Sequence, residues 1–200
     1  MRKSFRAEKL DNGVTLLADV FPSSLAALVV GIRTGPLYEA RSEKGYSHLL
    51  EHMLFNVEGF DVDAAVEGLG GESNAYTHRD VVMLTFQALA ESFKGLVDAA
   101  VRVLANRRYD ERRFEREKLI VLSEMRMNRE SPSERIGDLG LRALFGDGDW
   151  GIPIDGLPEV ISAATLRDLL EFKEKWIKPD NIIVAVAGGI GEGELEEVGR

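Results

Sequence analysis

The order in which hydrophobic periodicity changes along these 200 residues constrains the fold more than any other feature. Strand-like runs stand near the start, helical spacing fills the middle, and one strand-like run returns near the end. Val14 to Val20 is a β-branched run that follows the turn signal Asp11-Asn12-Gly13 and stops at Pro22. Leu25 to Arg33 is a second, mostly apolar strand, ended by Thr34-Gly35-Pro36. A helix is expected over about 45–56, and another over 61–69 with Asp61 as N-cap and Gly70-Gly71 as its stop. Residues 72–77 and 81–89 read as strands joined around Arg79-Asp80. Residues 92–106 place Phe93, Leu96, Val97, Ala100, Val101 and Leu104 at three-and-four spacing, an amphipathic face. A long charged helix is expected over 110–129, a weaker one over 133–145 that contains Gly137 and Gly140, and a loop over 146–158. Thr165 should cap a helix through Trp176, 182–187 reads as a buried strand, and 192–199 as a final helix of two turns. Together these elements predict an α+β fold, helices packed on one antiparallel or mixed sheet, as a single domain over 1–200.

Composition narrows the function. The 25 Lys and Arg against 34 Asp and Glu leave a formal charge of -9. That argues against a nucleic-acid or anionic-membrane binder, since phosphate surfaces demand a basic face. With no cysteine, disulfides, thiolate zinc sites and a cysteine nucleophile are excluded, and a reducing cytoplasm suits the chain. The basic start, Met1 to Arg6, is followed by no apolar stretch, so no secretory leader is expected. The longest apolar run, Leu25 to Ile32, is far too short to span a bilayer.

Chemistry concentrates around the three histidines, at 48, 52 and 78. His48-Leu49-Leu50-Glu51-His52 falls in the expected helix over 45–56. Residues four apart on a helix point about 40° apart, one turn along the axis, so the two imidazoles can close on one cation. Glu51 sits roughly 60° to the other side of His48 and can reach a metal-bound water without being a ligand. The order His-x-x-Glu-His is the inverzincin pattern. A histidine pair on a helix can also be an idle surface. Here, though, Leu49, Leu50, Met53 and Leu54 intervene, so the helix is at least half buried, and buried imidazoles without partners are costly. A hydrolytic zinc site needs a third protein ligand, and His78, Glu117 and Glu124 are candidates. The two glutamates lie seven residues apart on one helix face, amid Leu119, Ile120, Val121, Leu122 and Met125, a set that suggests entry into the core.

Residues 10–190 resemble the N-terminal, metal-bearing lobe of the pitrilysin, insulinase and mitochondrial processing peptidase family of zinc metallopeptidases. The matching pieces come in the family's order: Leu10-Asp11-Asn12-Gly13, Gly35 and Glu39, then Gly45 to Phe55 with the motif itself. Gly70 to Thr77 is similar to the family's substrate-edge strand and Glu117 to Glu124 to its glutamate helix. Pro153-Ile154-Asp155-Gly156 and Pro179-Asp180-Asn181 complete the likeness.

The resemblance implies zinc held by His48, His52 and Glu124, with Glu51 as general base and Glu117 orienting a ligand. It implies that Phe55 lines the pocket after the scissile bond, though core packing explains that position as well. Asn74 and Ala75 match the edge on which a peptide lies by strand addition. Thr77 and His78 are expected to be ordinary strand or turn residues, and Tyr76 and Phe86 core residues. The implied activity is zinc-dependent endopeptidase, in the cytoplasm; the alternative is a peptide-binding or scaffold subunit with little turnover. The family's pocket also takes an arginine and a tyrosine from a facing lobe. A second lobe or subunit of the same family is therefore the expected partner: either a second chain completes the enzyme, or this chain is a fragment or minimal version of it.

Overall fold

The structure, a computed structural model, describes residues 4–198. Met1 to Lys3 of the leader argument and Gly199 of the expected last helix lie outside those residues. The strands are β1 (Ser4–Lys9), β2 (Thr15–Val20), β3 (Leu25–Ile32), the short pair β4 (Asn56–Val57) and β5 (Phe60–Asp61), β6 (Glu72–Thr77), β7 (Val82–Leu89) and β8 (Ile182–Gly188). The helices are α1 (Tyr46–Leu54), α2 (Val62–Glu67), α3 (Phe93–Ala105), α4 (Glu111–Glu130), α5 (Pro132–Phe145), α6 (Pro158–Ala163), α7 (Leu166–Trp176) and α8 (Glu192–Val198). The fold is α+β, as expected, with β1, the short β4–β5 pair and α6 as elements that the sequence did not announce.

One six-stranded sheet runs β1-β2-β8-β3-β7-β6. Every pairing is antiparallel except β2 with β8, which makes the sheet mixed. The strand from the end of the chain thus inserts between two strands from its beginning. Alternation decides which face is covered. Ala26, Leu28, Val30 and Ile32 of β3, Val82, Leu84, Phe86 and Ala88 of β7, and Ile182, Val184 and Val186 of β8 are buried together. Leu96 and Val103 of α3, Phe114, Val121 and Met125 of α4, and Leu49, Leu50, Met53 and Leu54 of α1 join the same core.

Two expectations about this core need correction. Leu119 and Ile120 are exposed, because α4 turns its Phe114, Lys118, Val121 and Met125 stripe inward. Tyr76 is also exposed, since it alternates outward on β6, whereas Phe86 is buried.

The start of α1 is tightly built. Glu39, itself buried, accepts from the backbone N–H groups of Gly45 at 2.8 Å and Ser47 at 2.7 Å, satisfying donors that a helix leaves unpaired. Gly45 has φ +105, and a Cβ there would lie 2.7 Å from the Asp155 carbonyl oxygen. At Gly156 a Cβ would lie 2.4 Å from the Gly45 backbone, so two side-chain-free residues let the 146–157 loop pass under the helix. Buried Lys44 fixes that loop by donating to the Asp149 carboxylate at 2.8 Å and to the Pro36 carbonyl.

Candidate metal centre

Two helices and one strand supply the site. The inner stripe of α1 (Leu49, Leu50, Met53, Leu54) is fully buried, which turns His48, Glu51 and His52 toward α4 and β6. Burial of Val121 and Met125 similarly fixes α4 so that Glu117 and Glu124 face α1.

The ligand atoms of His48, His52 and Glu124 lie within 4.8 Å of one another, the only such group among the described residues. Glu124 Oε2 stands 3.3 Å from His52 Nε2 and 3.7 Å from His48 Nε2. The edge of a tetrahedron around a zinc ion with bonds of about 2.0–2.2 Å is roughly 3.3–3.6 Å, so these separations match a shared cation. They are too long for strong hydrogen bonds between the groups themselves. The two imidazoles meet edge to face, centroids 4.8 Å apart and planes at 88°, so both can aim a nitrogen at one point. His48 Nδ1 is buried without a hydrogen-bond partner, which leaves packing and the Nε2 side to fix that ring. Burial, with the neighbouring His52 second, pushes His48 down to about 4, so at neutral pH it offers a lone pair rather than a proton. Two imidazole nitrogens and a carboxylate oxygen, with further carboxylates close by, form a donor set that fits zinc.

Glu117 does not join the three. Its Oε2 lies 3.4 Å from His52 Nδ1, while Asn56 Nδ2 donates to its Oε1 at 3.5 Å and Arg113 Nε lies 3.8 Å from that oxygen. A carboxylate on the far nitrogen of a histidine sets the ring's tautomer and orientation. Asn56 also donates to the His52 carbonyl at 2.7 Å, a bracing role that nothing in the motif spacing signals.

Glu51 points to the other side, toward β6. Its Oε2 accepts a 2.7 Å hydrogen bond from Thr77 Oγ1, a partner the sequence expectation passed over as an ordinary strand residue. His78 lies outside the metal group and lines a cavity of about 500 Å³ with His48, Glu51, Thr77, Glu134 and Asp138. A second cavity of about 570 Å³ opens beyond His52, lined by Phe55, Asn56, Phe60 and Glu117 among others. Phe55 lines this cavity and stacks on Phe86 with centroids 6.0 Å apart.

β6 is the last strand of the sheet, and its outer edge is unpaired. Asn74 is exposed there, with its side chain accepting from Ala75 N at 2.8 Å and donating to Tyr76 Oη at 2.9 Å. That local bond blunts an open edge, and an incoming strand would have to displace it. The groove lined by Glu51, His52, Phe55, Asn74 and Ala75 connects the edge to the metal group.

The mixed sheet thus carries, beside an open edge strand, a two-histidine, one-glutamate cluster that could hold a metal ion. The family model described as insulinase (peptidase family M16) matches residues 14–155, and the chain belongs to that family. An uncharacterized zinc protease of Mycobacterium leprae is 31% identical over 191 residues, 93% of this chain and 43% of that protein. The beta subunit of the mitochondrial-processing peptidase of Bos taurus is 28% identical over 201 residues, 98% of this chain and 41% of that protein. A solved putative M16-like peptidase from Alicyclobacillus acidocaldarius shares the fold with a TM-score of 0.90 at 24% identity, over 99% of this chain and 49% of that one. The same fold occurs in a peptidase M16 inactive domain from Pseudomonas fluorescens, TM-score 0.88 at 18% identity, over 98% of this chain and 49% of that one. The chain thus spans less than half the length of the relatives it matches. Among the described residues no helix is long and apolar enough to cross a membrane.

Proposed function

We propose that this chain is the zinc-bearing lobe of a metalloendopeptidase, with His48, His52 and Glu124 as ligands and Glu51 as general base. The observation that carries the reading is the convergence of those three donors with Glu51 alongside, at the head of an open strand edge. When bound, zinc supplies Lewis acidity, lowering the pKa of water and polarising a carbonyl oxygen. Glu51 accepts a proton as water oxygen bonds to the scissile carbonyl carbon, then delivers that proton to the amine nitrogen as the C–N bond breaks. Glu117 holds His52 in register throughout. An extended peptide pairs along β6 at Asn74 and Ala75 and places the side chain after the scissile bond near Phe55. Glu134 and Asp138, on the wall of the cavity beside Glu51, favour a basic side chain on the other side.

The same proposal gives the chain one lobe of a clamshell. A second lobe of the same family, or a subunit that carries one, would close over the peptide and bring an arginine and a tyrosine toward it, excluding water from the reaction. The compartment proposed for it is the cytoplasm, which a cysteine-free sequence fits without requiring it. A non-catalytic scaffold is the second reading, favoured by the inactive-domain neighbour. Fluorogenic-peptide cleavage by the zinc-loaded chain, alone and titrated with family partner chains, separates the two. The catalytic reading expects chelator-sensitive turnover that rises to saturation at a fixed partner ratio and is lost in Glu51→Gln. Equal turnover by the glutamine variant would refute the role of Glu51, and no turnover at any ratio would favour the scaffold.

A further inference from the structure

We infer that Thr77 is the positioning residue for Glu51: its hydroxyl holds the carboxylate in the one orientation from which it can take a proton beside the metal ligands. The inference rests on the proposed role of Glu51. The bond is short, 2.7 Å from Thr77 Oγ1 to Glu51 Oε2, partly buried, and the only hydrogen bond to that carboxylate among the described residues. A hydrogen bond to an ionised acceptor is among the stronger kinds, and burial strengthens it. Because it occupies Oε2, the lone pairs of Oε1 remain for a water.

The surroundings explain why such a tether is needed. Glutamate has three rotatable side-chain bonds, and α1 constrains only the first of them strongly. The cavity that Glu51 shares also contains His78 and Arg79, both able to draw a free carboxylate away. Arg79 is itself engaged, donating to the Ile152 carbonyl at 3.0 Å and lying 5.9 Å from the Trp150 ring centroid. Thr77 is well placed for the task because it ends β6, opposite Val82 in register, where strand pairing fixes its backbone. Its side chain alternates with outward-facing Tyr76 and so turns in toward α1, while its β-branched Cβ limits the hydroxyl to few rotamers.

The test uses the full zinc-loaded chain with Thr77→Val, Thr77→Ser and Glu51→Gln. Valine keeps the shape and strand preference of threonine without the hydroxyl, and serine keeps the hydroxyl. Thr77→Val should leave zinc affinity and melting temperature near those of the parent. Crystal structures should show Glu51 in one rotamer in the parent and in Thr77→Ser, but displaced or spread over several in Thr77→Val, with α1 unmoved. In peptide hydrolysis kcat should fall about 10- to 100-fold in Thr77→Val with KM within about twofold, and Thr77→Ser should recover most of it. An unchanged Glu51 rotamer in Thr77→Val, or parental kcat in that variant while Glu51→Gln is inactive, overturns the inference and leaves the base assignment standing. Parental turnover in Glu51→Gln would instead remove the base assignment.

Discussion

Replacing Glu39 by alanine should loosen the metal helix more than any exposed change, although the residue touches no ligand. The residue is 5% exposed, and its carboxylate receives two short bonds, from Gly45 N at 2.8 Å and Ser47 N at 2.7 Å. Alanine would leave both N–H groups buried and unpaired at the positive end of α1. Each orphaned donor costs about 1–3 kcal/mol, so the loss should total about 3–4 kcal/mol after partial relaxation. At about 2–4 °C per kcal/mol for a domain of this size, melting should fall by roughly 6–16 °C. Glutamine retains one acceptor and should lose less. The charge adds a pH signature. Burial, the largest influence, raises Glu39 above the ordinary carboxylate value, so its ionisation opposes folding. Stability that is present below the unfolded pKa is therefore lost as pH rises through the folded one, a slope that the glutamine variant lacks. Urea melts of the metal-free protein at several pH values measure both effects. A loss under about 0.5 kcal/mol in Glu39→Ala, the range of neutral surface changes, would refute the capping argument.

Glu117→Gln should weaken zinc binding about 10- to 100-fold, by calorimetry, with little change in metal-free melting, because it braces His52 rather than the core. Glu51→Gln should bind zinc as tightly as the parent and lose about 10²–10⁴-fold in peptide turnover, measured by initial rates. Zinc binding at pH 6 should release about one proton or fewer from the imidazole pair, since burial holds His48 neutral down to about 4. Titrations in buffers of different ionisation enthalpy report that number, and release of two would contradict it.

The elements that carry the chemistry were legible because they are regular. Apolar Leu49, Leu50, Met53 and Leu54 place His48 and His52 on one helical face, and the spacing of Glu117 and Glu124 survives intact on α4. What spacing left open was which carboxylate lies between the two imidazoles and which lies against His52 Nδ1 alone, since α1 and α4 meet only in the fold. β1 was missed because an edge strand paired on one side, Ser-Phe-Arg-Ala-Glu-Lys, has no need of a buried stripe. The insertion of β8 beside β2 is a pairing between the two ends of the chain that no local pattern encodes. Lys44 becomes a buried anchor only through its contacts with the Pro36 carbonyl and the loop carrying Asp149, which lies far away in sequence. Thr77 resembles any β-branched strand residue until Glu51 is set opposite it.

The central claim is that His48, His52 and Glu124 form one zinc site. Elemental analysis and calorimetric zinc titration of the tag-free chain at neutral pH, with His48→Ala, Glu124→Ala and His78→Ala beside it, test this directly. The account predicts one zinc per chain in the parent and in His78→Ala, and severe loss of affinity in the other two. A chain that stays metal-free under zinc titration, or binding abolished by His78→Ala alone, would contradict it.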